Sequence, residues 1–193
     1  LVTSWHDYPK AILGIDSKPL INWFAENVRP GETWLDVGSH FGYVASALSF
    51  MVGKAGRVFA FEPMVNTAGC IQQTRQLNDL PQLIIVPLAL GSPETLEMKR
   101  LATQKGMIDS TIEQEKQGEW VETFFTARLD WLWPKICDGN PHIDGIKIDF
   151  AESWVHLRKS NTEPIIRIYS EAKTKEKADE LALKMIEQMK SLV

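Results

Sequence analysis

Asp36, Gly38, Gly42 and Glu62 are the residues whose types and spacing could do chemistry together. The first three lie in Trp34-Leu35-Asp36-Val37-Gly38-Ser39-His40-Phe41-Gly42. Glu62 follows about 20 residues on, where an acid closing a second strand can take both hydroxyls of a ribose. Gly38 and Gly42 carry no Cβ, so a ligand can approach the backbone closely. The helix that opens at Tyr43 points N–H groups into the same turn. A dinucleotide site requires Gly-x-Gly-x-x-Gly, whereas here the run is Asp-x-Gly-x-x-x-Gly with Asp36 in place of the first glycine. A carboxylate there repels a pyrophosphate and suits an ammonium group. S-Adenosylmethionine carries an ammonium, a ribose and a sulfonium, so the loop would hold its methionine end and Glu62 its ribose. The expected cofactor-binding set is Asp36, Gly38, Ser39, His40, Gly42 and Glu62. The alternative is an ordinary Rossmann-like βαβ unit whose glycines serve only the turn.

The elements that must position these residues are legible around them. Residues 33–37 read as a strand, 38–42 as a tight loop, 43–52 as a helix stopped by Gly53, and 57–61 as a second strand. Ser17 can cap a helix reaching about Val28, with Pro19 in its first turn, and Arg29-Pro30-Gly31 breaks it. A third helix is expected over 65–77. The all-apolar residues 83–86 suit a parallel strand covered on both faces. Alternating helices and such strands predict a doubly wound α/β sheet with right-handed crossovers. Residues 95–101 and 120–129 read as two antiparallel strands around a polar loop, 102–119. A loop of that length is either an acceptor-side flap or a solvated excursion. Thr174 can cap a final helix to about Leu192, whose stripe of Ala178, Leu181, Ala182, Met185, Ile186, Met189 and Leu192 is expected to pack against the core.

Composition bounds the class. The 193 residues suffice for one sizeable domain, and 44% apolar with 24% charged residues is ordinary for a soluble globular chain. A net charge of −4 gives no basic field for nucleic acid. No apolar run approaches a membrane span, and Trp5-His6-Asp7-Tyr8 interrupts any leader pattern. The chain opens at Leu1, as a fragment or a processed chain would. Cys70 and Cys137 have no metal-ligand spacing and imply no disulfide framework, so no metal is expected and a reduced, cytoplasmic setting is the default.

Several landmarks, in order, resemble the FkbM-type S-adenosylmethionine-dependent methyltransferases. They are residues 34–43, Gly56-Arg57-Val58-Phe59-Ala60-Phe61-Glu62-Pro63, Asn78, Val86-Pro87-Leu88-Ala89-Leu90-Gly91, Ala127-Arg128-Leu129-Asp130-Trp131-Leu132, and Ile143-Asp144-Gly145-Ile146-Lys147-Ile148-Asp149. The resemblance covers roughly residues 15–149. It implies a Rossmann-like methyltransferase fold and O-methyl transfer to the hydroxyl of a sugar or other small molecule. Such a transfer is a direct displacement that needs alignment, exclusion of water and often a base. Asp149, at the C-terminal end of its strand, is the candidate base; the competing role is capping a loop. His40 would line the pocket, His142 and His156 are expected to be surface or packed residues, and Asp130 a helix cap.

The family pattern would continue Val-Glu-Gly-Ala-Glu after Asp149, but this chain has Phe150-Ala151-Glu152-Ser153-Trp154. Residues 153–172, with Arg158-Lys159-Ser160-Asn161-Thr162-Glu163-Pro164, instead are similar to the C-terminal domain of phosphoglucomutases and phosphomannomutases, where this loop holds the substrate's phosphate. The chain thus looks like a chimera joined near residues 144–152. It is expected to comprise a methyltransferase-like part, 1–149, and a β-β-α segment, 150–193, packed on the same core. Arg158, Ser160, Asn161, Thr162 and Arg167 form the expected phosphate-binding set. The other parts of a mutase are missing from the sequence, so mutase activity is not expected. Residues 151–160 are either a crossover helix or a strand. The alternation of Val155 and Leu157 before loop chemistry favours the strand. The expected partner is a small-molecule acceptor, with a phosphosugar-binding module or an inactive chimera as the other readings.

Overall fold

The computed structural model describes residues 18–103, 120–150, 153–159 and 166–190. Helix α1 (Lys18–Asn27) leads into β1 (Thr33–Val37), α2 (Tyr43–Val52), β2 (Arg57–Phe61), α3 (Val65–Leu77) and β3 (Leu83–Val86). After these come β4 (Ala89–Leu90), β5 (Glu97–Thr103), β6 (Trp120–Ala127), α4 (Leu129–Ile136), β7 (Gly145–Phe150), β8 (Ser153–Lys159), β9 (Ile166–Ala172) and α5 (Lys175–Lys190).

Six strands form one sheet in the order β3-β2-β1-β7-β8-β9. β3, β2, β1 and β7 are parallel, while β8 runs antiparallel to both β7 and β9. The fold is therefore the expected mixed α/β sheet, and residues 153–159 take the strand alternative. The segment after Asp149 adds strands to the same sheet rather than forming a separate body. A smaller sheet, β4-β6-β5, pairs β5 and β6 antiparallel and adds the short β4 in parallel. The polar loop expected at 102–119 lies mostly outside the described residues.

Strand alternation sends Trp34, Asp36, Gly145, Lys147, His156 and Arg158 to one face of the main sheet and Leu35, Ile146 and Leu157 to the other. On the first face, Leu20 and Phe24 of α1, Leu48 and Val52 of α2 and Ile71 of α3 bury Trp34, Val58 and Leu83. On the second, Leu132 and Trp133 of α4 cover Leu35, Phe59 and Phe61. Helix α5 joins that second side, since Ser170 Oγ donates to Ala178 O and Ser170 pairs with Val155. Thr174 Oγ1 accepts from Lys177 N at 3.3 Å, which is the predicted cap. The apolar stripe of α5 is only half-buried through Met189, so it shields β8 and β9 without entering a deep core. Asp130 is not the N-cap residue, which is Arg128, but its Oδ1 accepts from Trp131 N at 3.0 Å in the first turn of α4, and its carboxylate also binds the side chain of Arg128.

Gly145 is where β7 passes under Trp34. A Cβ there would lie 2.4 Å from the indole ring, and Trp34 is wholly buried. Gly145→Ala must displace that ring and is expected to lower the unfolding free energy by about 1–3 kcal/mol, read from the midpoint of urea denaturation.

Candidate functional site

The C-terminal ends of β1, β2 and β7 bring the predicted residues to one edge of the sheet, where ligands gather in open α/β folds. The loop 38–42 reaches this edge through three backbone conformations of positive φ, Gly38 at 78°, His40 at 49° and Gly42 at 80°. At Gly42, which precedes α2, a Cβ would also lie 2.9 Å from Ile71 Cγ1. The small residue is thus demanded by φ and by the packing of α3 together.

The loop is tied to the end of β2. Gly38 N and Ser39 N both donate to Phe61 O, at 3.1 and 3.0 Å. His40 N donates to Glu62 Oε2 at 2.8 Å, and Met64 N donates to Glu62 Oε1 at 2.9 Å. Glu62 therefore clamps the glycine loop on one side and the entry to α3 on the other. Its carboxyl is pushed up to about 7, chiefly by burial, against the two backbone donors and Lys147 that favour its charge. Ser39 Oγ donates to Asp36 O at 2.8 Å and is buried, so its hydroxyl faces the loop rather than a ligand.

Asp36 departs from its expected part. Its side chain is fully buried, and Oδ1 stands 2.9 Å from Nζ of Lys147, its register partner on β7. That is an ion-pair distance, although neither carboxylate oxygen receives a well-directed hydrogen bond among the described residues. A wholly buried carboxylate facing an internal ammonium does not meet a ligand's ammonium directly. Lys147, 2% exposed, also pairs with Asp149. Burial works against its charge, but the pull of Asp36 and Asp149 outweighs that and holds the ammonium above the ordinary lysine range. Asp149 is the outermost of the three, its side chain 44% exposed. A Cβ on Gly38 would sit 3.3 Å from Asp149 Cβ, so Asp149 lies directly against the glycine loop.

Sequence reasoning missed Lys147. The signal was available: a lysine in register with an acid on neighbouring parallel strands, both inside apolar runs. Seeing it required knowing that β1 and β7 are adjacent, 111 residues apart at Asp36 and Lys147.

Of the expected phosphate set, Arg158 and Arg167 lie among the described residues. Arg158 is 8% exposed and donates to Glu32 Oε1 at 2.7 Å and to Asn27 O. Glu32 Oε2 in turn accepts from Trp34 Nε1 at 2.9 Å. Arg158 thus joins β8 to the connection between α1 and β1 and is withdrawn from the anion-binding part expected of it. Arg167 pairs with Arg158 in register and is exposed. Ser160, Asn161 and Thr162 lie outside the described residues. His156 is fully buried in an aromatic box, with Tyr169 stacked at 4.6 Å and Trp23 at 4.0 Å, as a packed histidine should be. Among the described residues no helix is long and apolar enough to cross a membrane, and no group of three or more His, Cys, Asp or Glu could hold a metal ion.

Comparison with known proteins bears on both halves. Residues 99–188 match the family described as phosphoglucomutase/phosphomannomutase, C-terminal domain. The match reaches back beyond the join expected near residue 144, into β5. A phosphoglucomutase/phosphomannomutase of Thermococcus kodakarensis is 56% identical over 48 residues, 23% of this chain and 10% of that protein. The chain thus spans about a tenth of the length of the curated relatives it matches. Among solved structures, a SAM dependent methyltransferase from Aquifex aeolicus is similar at 25% identity and a TM-score of 0.35, covering 42% of each chain. A protein-L-isoaspartate O-methyltransferase reaches 0.43 at 13% identity, covering 82% of this chain and 45% of the other. Residues 99–188 are therefore similar to a phosphohexomutase C-terminal domain.

Proposed function

We propose that the chain binds S-adenosylmethionine at the edge formed by β1, β2 and β7, as an FkbM-like O-methyltransferase acting on the hydroxyl of a sugar or other small molecule. The single observation that carries this is Glu62: a buried carboxylate at the end of β2 whose two oxygens hold the glycine loop and the start of α3. The acceptor pair thus lies beside a loop whose tight path Gly38 and Gly42 permit through their positive φ. The donor set suits the cofactor's charge. Asp36 and Asp149, joined by Glu62 when it is ionised, surround the loop against one ammonium, Lys147, an excess of negative charge that favours a cation. When bound, the cofactor would supply an activated methyl group on its sulfonium. Glu62 would hold the ribose, the loop 38–42 the methionine end, and Asp149 would stand at the rim as the carboxylate within reach of an acceptor hydroxyl.

Calorimetric titration tests the reading. Glu62→Ala should weaken S-adenosylmethionine binding by about 1–3 kcal/mol, and an unchanged affinity in a folded variant would place the ribose elsewhere. The wild type adds a pH signature. A carboxyl at about 7 must lose its proton to accept both ribose hydroxyls, so binding should release a proton and be about tenfold weaker at pH 6 than at pH 8. Titration in two buffers of different ionisation enthalpy counts the proton.

The second reading, a phosphosugar-binding module, draws on the identity to mutases over 48 residues. Its central cation, Arg158, is engaged by Glu32. Inorganic phosphate should therefore bind weakly or not at all, and protection of amide exchange by phosphate around β8 and β9 would revive that reading.

A further inference from the structure

Three charged side chains meet at the site in a line. Asp36 is fully buried, Lys147 almost so, and Asp149 half-exposed. Lys147 and Asp149 lie two residues apart on β7 and point to the same face, and Asp36 is opposite Lys147 in register on β1. A buried ammonium between two carboxylates cannot be there for packing alone. Its desolvation is repaid only by close opposite charges, and removing it would leave Asp36 buried and uncompensated. The line also has a direction, with one end sealed in the sheet and the other emerging against Gly38, where the absence of a Cβ leaves Asp149 its place.

We propose that Lys147 is a positioning residue: it neutralises Asp36 inside the sheet and holds Asp149 against the glycine loop, so that Asp149, not Asp36, meets the ammonium of the ligand's amino-acid end. This rests on the S-adenosylmethionine reading above. It converts the acid of the Asp-x-Gly run from a ligand contact into the inner anchor of a relay, and gives Asp149 a binding role at the place where a base was expected. Ligands with an amino-acid end, S-adenosylmethionine and S-adenosylhomocysteine, feel the relay. Methylthioadenosine, which keeps the adenosine and lacks that end, does not.

The experiment is titration of the purified full chain with these three ligands. Asp149→Asn should weaken S-adenosylmethionine and S-adenosylhomocysteine by about tenfold or more and leave methylthioadenosine unchanged. Lys147→Met alone would strand Asp36, so the paired variant Asp36→Asn/Lys147→Met is used, which removes both buried charges together. It should stay folded by tryptophan fluorescence and show the same selective loss, because Asp149 has lost its tether. A merely structural Lys147 would give equal effects on all three ligands, or none, and would overturn the proposal. An Asp149→Asn variant with wild-type affinity for S-adenosylmethionine would also overturn it, while leaving the cofactor reading intact. Failure of the wild type to bind any of the three ligands would refute the cofactor reading itself, and the proposal with it.

Discussion

Replacing Arg158 by methionine should lower the unfolding free energy by about 3–5 kcal/mol, the usual effect of stranding a buried charge. Arg158 and Glu32 are each about nine-tenths buried, and their contact spans 126 positions of sequence. Methionine fills much of the aliphatic volume of arginine but leaves Glu32 Oε1 without its cation. It also leaves Asn27 O, at the end of α1, without a donor it now receives. The variant Glu32→Gln/Arg158→Met removes the stranded charge while Gln can still accept from Trp34 Nε1, so it should recover a substantial part of the loss. Both are read by urea denaturation, with Trp34 beside the pair as the fluorescent reporter. A loss below about 1 kcal/mol for Arg158→Met would mean that the pair behaves as a surface salt bridge. The expected result also bears on the origin of the segment after Asp149. Arg158, in the segment similar to the mutase C-terminal domain, is the pin between β8 and the α1–β1 connection. The segment thus completes the core around α1 rather than trailing from it.

What was legible in the sequence follows from what is local. β1, α2, β2, α3 and β3 lie where glycine stops, apolar runs and the βαβ rhythm put them, because each boundary is set within a few residues of itself. β8 was legible in the alternation of Val155 and Leu157, but its meaning was not. His156 and Arg158 look like outward residues of a half-exposed strand, yet both point into the sheet face that α1 covers. Their burial depends on Trp23, Glu32 and Trp34, more than 120 positions earlier, and no local period carries that. The site divides the same way. Glu62 and the glycines were visible from spacing. That Asp36 is sealed by Lys147, and that Asp149 is the exposed carboxylate, depends on β7 inserting beside β1, which only the strand order reveals. The short β4 had no signal of its own, since two residues cannot display a period.

His156 should cost this protein stability in mild acid relative to a variant with phenylalanine in its place, and the gap should grow as the pH falls. The imidazole is fully buried, stacked on Tyr169 with the rings 8° from parallel and 19° from the plane of Trp154, and neither ring nitrogen has a hydrogen-bond partner among the described residues. Burial, reinforced by the positive charge of Arg158, pushes it down to about 4 from the usual 6.5. Between those values the unfolded chain takes up a proton that the folded chain refuses. The contribution of His156 is therefore fully present above pH 6.5 and is lost as the pH falls to about 4, amounting to roughly 3 kcal/mol. Glu62 opposes it. Its carboxyl, at about 7 in the fold against 4.5, binds its proton more readily when folded, so its contribution grows as the pH falls from 7 to 4.5. The two windows overlap with opposite sign, and the wild-type profile should be flatter than either group alone would make it. The difference between His156→Phe and wild type removes what Glu62 contributes to both. Phenylalanine keeps the stack and buries no unpartnered nitrogen, so the variant should match or exceed the wild type at pH 7. Its advantage should then widen toward pH 4. Denaturant midpoints at half-unit steps of pH measure this, and an advantage that stays constant between pH 6.5 and 4 would mean that the box accommodates the imidazolium, held by the faces of Tyr169, Trp23 and Trp154.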